Sequence, residues 1–157
     1  MFAETFKVRL WAALKIPHLF FIRPSVVELD DHRCVVRVPL TRRTRNHLGS
    51  MYFGSLCAGA DTAGGLIAFR EIGRTGGRVS LIFKEFRAEF LKRPEGDVHF
   101  ICEEGDAIRN LVHAALETGE RQTLPVHITA TVPLKFGDEP VARFELMLSL
   151  KRREASS

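Results

Sequence analysis

One stretch with almost no charge, residues 46–69, constrains the fold of this chain more than any other part. From Tyr52 onward, apolar or small residues recur at spacings of three and four, the period of an α-helix: Phe53, Leu56, Cys57, Ala60, Ala63, Gly64 and Ile67. The opposite side is hardly more polar, with Ser55, Ala58, Gly59, Thr62 and Gly65. A helix that is apolar or small on all sides is normally buried on all sides. The sequence therefore predicts one central, buried helix that ends near Gly73.

Glycines in this predicted helix indicate that something approaches its backbone closely. Gly54, Gly59, Gly64 and Gly65 each lower helix stability by roughly 1 kcal/mol relative to alanine. A chain tolerates this cost where a side chain would stand in the way of a neighbour. The neighbour could be a wrapping sheet, a partner helix or a ligand.

Asp61 is the only charged residue between Asn46 and Arg70. An ionised carboxylate on a buried helix is costly unless it is paired, so its position raises a functional question. One interpretation is a catalytic or ligand-contacting acid. The other is a structural aspartate bonded to a polar neighbour such as Asn46, His47 or Thr62. The residues themselves favour neither interpretation.

The remaining elements predict an α+β domain. Period-two alternation and turn signals predict about six strands, and helical periodicity predicts helices on either side of the central one. The predicted order is α-β-β-α-β-β-α-β-β. An N-terminal helix lies within residues 1–17 and stops at Pro17, and an apolar connector follows at 18–24. The strands are predicted at 26–29, 32–40, 79–92, 98–102, 126–136 and 142–150. A further helix is predicted at 106–119 and a polar tail at 151–157. An antiparallel sheet curled round the central helix would bury the helix and the sheet's inner face together in one domain of 157 residues.

The N-terminal helix is amphipathic, because apolar residues recur every four positions at Phe2, Phe6, Leu10 and Leu14. It could lie on a membrane surface with Lys7, Arg9 and Lys15 on its polar side. Most such helices pack on their own domain or on a second subunit, and we expect the same here. No segment has enough uninterrupted apolar residues to span a membrane, so we expect no stable membrane insertion.

Charge and cysteine content restrict the possible functions. The net charge of +4 suits an anionic ligand, but the basic segment TRRTR at 41–45 is too short to predict nucleic-acid binding. The three cysteines lie far apart in apolar segments, which indicates reduced core residues and a cytoplasmic location. Neither the cysteines nor the six histidines show metal-ligand spacing, so we predict no metal.

The order of elements and several motifs resemble the hotdog fold, in which a curved antiparallel sheet wraps one helix. The segment NHLGSMYFGSLCAGADTAGG resembles the loop and helix of hotdog thioesterases of the phenylacetate-pathway type, and the seven-residue spacing of Gly54 and Asp61 matches that family's helix start and acid. FRAEFLKRPEGDV and ETGER resemble later parts of the superfamily, over residues 24–150 in all, with the best match to a branch of unknown function. The sequence differs from the family's motif at Tyr52-Phe53-Gly54, where many family members have His-Gly-Gly.

The resemblance implies hydrolysis of an acyl thioester carried by coenzyme A or an acyl carrier protein, without a cofactor. Asp61 would be the general base or the nucleophile, Gly54 would offer a backbone amide to the thioester oxygen, and Asn46 would orient water or the carbonyl. The candidate substrate-binding residues are Tyr52, Phe53, His47, Ser55 and Arg87. In hotdog proteins the site usually lies between two subunits, so the resemblance implies a homodimer or a tetramer.

Two other functions stay open at this point. The missing histidine favours a non-catalytic module that binds an acyl ligand or serves as a dimerisation scaffold. A hydratase or dehydratase is less well supported, because no suitable histidine pairs with Asp61.

Overall fold

The computed structural model of the chain describes residues 2–153. This part of the chain contains five helices and six strands: α1 (Phe2–Lys15), α2 (Pro17–Ile22), β1 (Ser25–Leu29), β2 (Cys34–Val38), α3 (Phe53–Arg74), β3 (Val79–Phe90), β4 (Val98–Cys102), α4 (Gly105–Thr118), β5 (Gln122–Thr131), α5 (Pro133–Phe136) and β6 (Pro140–Arg152). The predicted α+β class, the six strands and the central helix are confirmed.

All six strands form one antiparallel sheet in the order β1-β2-β4-β5-β6-β3. The strands β1 and β3 are therefore the two edges. The strand β3 pairs with β6 from Val79 to Phe90, with a bulge between Phe83 and Phe86. The antiparallel pairing predicted for the last two strands is confirmed, from Gln122 to Thr131 on β5.

Two glycines let the central helix α3 lie close to this sheet. A Cβ atom at Gly59 would lie 2.3 Å from the ring of Phe100, which is fully buried on β4. At Gly64 it would lie 3.1 Å from Ile128 of β5. Of the three possible neighbours, the wrapping sheet is therefore the one that requires glycine at these positions.

The prediction that the central helix is buried on all sides is wrong for the single chain. Residues at intervals of four, namely Phe53, Cys57, Asp61, Gly65 and Phe69, are exposed or only half-buried. We call these five residues the open stripe of α3. The stripe is partly covered by edge strand β3, since a Cβ atom at Gly65 would lie 3.7 Å from the Phe83 ring and the rings of Phe53 and Phe90 lie 6.4 Å apart.

Three predicted boundaries are also wrong. The connector at 18–24 is mostly the short helix α2, because Pro17 occupies its first turn, where the missing N–H costs nothing. The alternation of residues 126–136 does not continue as a strand beyond Thr131, since Pro133 opens the short helix α5. The polar tail begins later than 151, because β6 extends to Arg152, and residues 154–157 lie outside the described part.

The N-terminal helix docks through the side opposite to its predicted apolar stripe. Ala12 is fully buried, and the ring of Trp11 lies 4.9 Å from that of Phe69 on α3. The Thr5 hydroxyl accepts a hydrogen bond from the Val26 amide at 2.9 Å. The expected packing of the helix on its own domain is therefore confirmed, but through this other side: Phe2, Phe6, Leu10 and Leu14 are exposed, and their packing on a second subunit stays a prediction.

Candidate active site

The N-terminus of α3 presents unpaired backbone donors. The amides of Ser55 and Leu56 donate to the Tyr52 carbonyl at 2.9 and 3.1 Å, and no side chain caps the helix. Within residues 2–153, the amides of Phe53 and Gly54 have no hydrogen-bond acceptor. These groups carry the positive end of the helix dipole and can stabilise a developing negative charge on a ligand oxygen.

Two backbone hydrogen bonds hold the residues just before the helix. The Tyr52 amide donates to the Thr44 carbonyl at 2.7 Å, and the Met51 amide donates to the Pro94 carbonyl at 2.9 Å. The start of α3 is thus tied both to the loop that follows β2 and to the turn between β3 and β4. The position of the free helix amides is fixed by these two connections.

The side chain of Asn46 is used within its own loop. Its Oδ1 atom accepts hydrogen bonds from the amides of Leu48 at 2.9 Å and Ser50 at 3.3 Å. Its Nδ2 atom donates to the Ser50 hydroxyl at 3.2 Å. The structure therefore gives Asn46 the geometry of a turn residue that positions the loop before the helix.

A cavity of about 520 Å³ lies beside this helix N-terminus, and we call it the Tyr52 cavity. Four predicted site residues line it: Asn46, His47, Tyr52 and Phe53. Its other lining residues include Leu56, Phe90, Lys92 and Arg93. The centroids of the Tyr52 and Phe53 rings lie 4.9 Å apart, so aromatic rings form one wall of the cavity. The cationic side chains of Lys92 and Arg93 also line it.

The ring of Tyr52 covers Gly54. A Cβ atom at Gly54 would lie only 2.5 Å from Tyr52 Cε1. The Tyr52 ring therefore occupies the space that a side chain at position 54 would need. Tyr52 itself is about half exposed.

Asp61 faces a second cavity, of about 480 Å³, which we call the Asp61 cavity. It lies among α1, α3 and β3, and its wall is mainly apolar: Val8, Trp11, Leu66, Phe69, Leu81 and Phe83, among others. Glu4, Lys7 and Arg70 also line it. Sequence reasoning missed Trp11 and Phe83, and periodicity could place them on buried faces but not in a common cavity.

Asp61 has none of the expected structural partners. Thr62 donates instead to the Ala58 carbonyl at 2.8 Å, and Asn46 bonds its own loop. Among residues 2–153 the Asp61 carboxylate makes no hydrogen bond or ion pair. Burial raises the pKa of this carboxyl above its usual range.

The predicted site residues do not all meet in one chain. Asp61 opens into one cavity, and Asn46, His47, Tyr52 and Phe53 line the other. Gly54 and Asp61 are seven residues apart on the helix, which corresponds to about 10 Å along its axis. Ser55 is buried, and Arg87 is exposed on β3 opposite Glu145; neither lines these two cavities.

A six-stranded antiparallel sheet wrapped round one helix, with cavities at the helix start and along its open stripe, defines a hotdog-fold protein. The resemblance seen in the sequence is thereby confirmed for the fold. The chain belongs to the family described as DUF4442, a domain of unknown function, whose model matches residues 5–146.

Solved structures share this fold at low sequence identity. A candidate thioesterase from Shewanella oneidensis has 14% identity and a TM-score of 0.80, with 98% of this chain and 100% of that chain covered. A protein of unknown function from Chlorobaculum tepidum has 13% identity and a TM-score of 0.81, with 95% and 94% covered. A thioesterase from Haemophilus influenzae has 12% identity and a TM-score of 0.66, with 91% and 88% covered. The comparison with curated proteins found no match.

Proposed function

We propose that this protein hydrolyses an acyl thioester, with Asp61 as the general base or nucleophile. The observation that carries the proposal is the Asp61 carboxylate, which has no partner among residues 2–153 and faces an apolar cavity. A structural acid in such a place is normally paired, because an unpaired buried charge lowers stability. An unpaired one is therefore a candidate for chemistry.

The reaction needs a base and an oxyanion site. As a base, Asp61 would take a proton from water while the water oxygen attacks the thioester carbonyl carbon. The carbonyl oxygen would gain negative charge, which the free amides of Phe53 and Gly54 could stabilise. The C–S bond would then break, and the leaving sulfur would take up the proton.

A second copy of the chain would bring these two parts together. About 10 Å of helix separates Gly54 from Asp61, whereas both groups must lie near one carbonyl. The open stripe of α3 and the apolar residues exposed on edge strand β3, Ile82, Phe86 and Phe90, offer a surface for that copy. In such a homodimer, Asp61 of one protomer would lie near the partner's Gly54. Pairing of two dimers into a tetramer remains part of the proposal.

The linings of the two cavities suggest which part of the substrate each cavity would hold. The apolar wall of the Asp61 cavity suits an acyl group, since Trp11, Phe69 and Phe83 line it. Arg93 and Lys92 line the Tyr52 cavity and would favour the phosphates of coenzyme A or of a carrier-protein prosthetic group. The expected cytoplasmic location, which follows from the cysteine content, belongs to the same proposal.

A non-catalytic acyl-binding module is the second candidate. The missing histidine favours it, because Tyr52-Phe53-Gly54 stands where many hotdog thioesterases have His-Gly-Gly, and the Tyr52 ring lies against Gly54. Such a module would bind thioesters in the same cavities and leave them intact. The two functions therefore differ in turnover and not in affinity.

Release of free thiol from a panel of short, long and aromatic acyl-CoAs tests the proposal. We expect release by the parent protein and a loss of at least about 100-fold with Asp61→Asn, as for removal of a general base. The matched control is Asp138→Asn, which makes the same change in an exposed turn and should leave the rate unchanged. Since Asp61 must be ionised to act as a base, the parent's rate should rise with pH through its elevated pKa.

Two outcomes would contradict the hydrolase. Equal turnover by Asp61→Asn and the parent would remove Asp61 from the chemistry. Binding of acyl-CoA without thiol release, in protein shown to be folded and dimeric, would establish the acyl-binding module instead.

A further inference from the structure

The outward face of α1 is apolar and exposed. Phe2 is 96% exposed, Phe6 68%, Leu10 51% and Leu14 73%. Ala3 and Ala13 are exposed on the same side of the helix. The opposite side carries the contacts to the domain, through Ala12 and Trp11. A surface helix normally has the reverse arrangement, with its apolar side inward.

This apolar face is large for a protein surface. At these exposures the two phenylalanines alone offer on the order of 300 Å² of apolar surface, and Leu10 and Leu14 extend it. The largest apolar patch of a typical monomer is about 300–600 Å² and often has a binding role. Phe20 and Phe21 on the adjoining helix α2 are also exposed.

Cations outnumber acids in the segment that carries this face. Residues 2–23 contain four cations, Lys7, Arg9, Lys15 and Arg23, and one acid, Glu4. Lys7 pairs with Glu4 at 3.1 Å and Arg9 donates to the Pro24 carbonyl, so Lys15 and Arg23 are the exposed cations without an ion pair among residues 2–153. The guanidinium of Arg43 lies 5.6 Å from the ring centre of Phe21, which brings the basic loop at 41–45 next to α2. An apolar helix face bordered by cations is the pattern of a helix that lies in the plane of an anionic membrane.

We propose that the outward face of α1, with α2 beside it, binds the surface of a bilayer containing anionic lipids. The 14 residues of α1 extend about 21 Å, which is shorter than the hydrocarbon core of about 30 Å, so the helix lies on the membrane and does not cross it. No helix among the described residues meets the length and hydropathy needed for a membrane span. The inference does not depend on thioester hydrolysis.

The charge distribution also argues against a second copy as the occupant. In a symmetric contact between two copies, the same patch faces itself. Lys15 and Arg23, which have no ion pair among residues 2–153, would then place positive charge on both sides of the contact, and like charges would repel. Anionic lipid head groups supply the opposite charge instead.

Vesicle flotation with the full chain tests this proposal. We expect binding to vesicles of phosphatidylcholine mixed with phosphatidylglycerol, weaker binding to phosphatidylcholine alone, and weakening by salt. The double variant Phe6→Ser with Leu10→Ser should reduce the partition coefficient about tenfold or more, since binding scales with buried apolar area. Leu134→Ser is the matched control, because Leu134 is 98% exposed on α5, and it should bind as the parent does.

A charge variant tests the role of the cations separately. Lys15→Glu should weaken binding to the anionic vesicles, whereas Arg143→Glu on the exposed side of β6 should not. Failure of the folded parent to float with either vesicle would overturn the proposal. Normal vesicle binding by the double variant would also overturn it. A change in the number of subunits of the double variant, measured by light scattering, would overturn it as well, because the face would then serve contacts between copies.

Discussion

Replacing Asp61 with asparagine should make the protein more stable at neutral pH while removing its proposed activity. The carboxylate has no partner among residues 2–153, and its pKa is raised by burial. Ionisation is therefore more costly in the folded chain than in the unfolded one. Asparagine has nearly the same shape and no charge, so it removes that cost without creating a void.

The expected gain follows from the environment of this side chain. Asparagine is itself a polar group without a partner, so the change removes only the extra cost of the charge, which is about 1.4 kcal/mol for each unit by which the pKa rises; Asp61 is only half-buried at a cavity wall, so this cost is small. We expect the free energy of unfolding to rise by about 1–2 kcal/mol at pH 7. For a chain of this size that corresponds to an increase in the melting temperature of about 2–8 °C.

The pH dependence gives the sharper form of this prediction. Because the pKa of Asp61 is raised on folding, the unfolded state ionises first as pH increases. The destabilisation is absent below the unfolded value of about 3.9, grows above it, and is complete above the folded pKa. The stability difference between Asp61→Asn and the parent should therefore be largest at neutral pH and vanish in acid.

Urea unfolding at several pH values, at one protein concentration, measures this difference. Asp138→Asn serves as the control, because Asp138 lies exposed in the turn before β6, and its stability should match that of the parent at every pH. A loss of stability in Asp61→Asn at neutral pH would refute the reasoning. It would mean that the carboxylate has a stabilising partner in the assembled protein, as the structural interpretation of Asp61 requires.

Two further predictions concern packing and thiol chemistry. Gly59→Ala should lower the free energy of unfolding by about 1–3 kcal/mol, because its Cβ would meet the buried Phe100 ring. In Gly73→Ala, on the same helix, the new Cβ meets no atom within 4 Å, so this variant should be more stable by about 0.5–1 kcal/mol. Thermal unfolding of both variants checks this contrast. Burial raises the pKa of Cys102 to about 11 and also raises that of Cys57, so native protein at pH 8 should react slowly with a thiol reagent and quickly once unfolded. Fast labelling of any thiol in the native protein would contradict this.

The fold was predictable because its main signals are local and repeated. Alternation in β5 and β6 identifies strands, and the uncharged run from Tyr52 identifies the helix they enclose. The same kind of signal failed where it was short or continued by chance. The six residues of α2 give less than two helical turns, and alternation of apolar residues ran on past Pro133 into α5.

The orientation of α1 could not be predicted, because apolar residues stand on both of its sides. Phe2 and Phe6 mark one side, and Val8, Trp11 and Ala12 mark the other. Periodicity shows that such residues share a face but does not say which face meets the domain. Which face meets the domain depends on contacts with distant residues, such as that of Trp11 with Phe69. Arg9 adds hydrogen bonds to the Pro24 carbonyl at 2.9 Å and to the Ser25 hydroxyl at 2.8 Å.

The candidate site was predictable in its residues and not in its arrangement. Asp61 stood out because it is a lone charge in an apolar helix, and the free amides follow from any helix start without a cap. That the Tyr52 ring covers Gly54, and that Asn46 bonds its own loop, depend on side-chain conformations, which periodicity does not encode. The separation of Asp61 from the helix start is set by helix geometry, and it is the reason for proposing a second copy.

The two proposals meet at α1 and can still be tested apart. The inward side of this helix, through Val8 and Trp11, lines the Asp61 cavity, and its outward side carries Phe6 and Leu10. Serine at these two outward positions leaves the cavity wall unchanged, so thiol release from a water-soluble short-chain thioester should persist when vesicle binding is lost. If hydrolysis of that substrate fell together with vesicle binding, the exposed face would be part of the folded site, and a membrane role would no longer be needed to explain it.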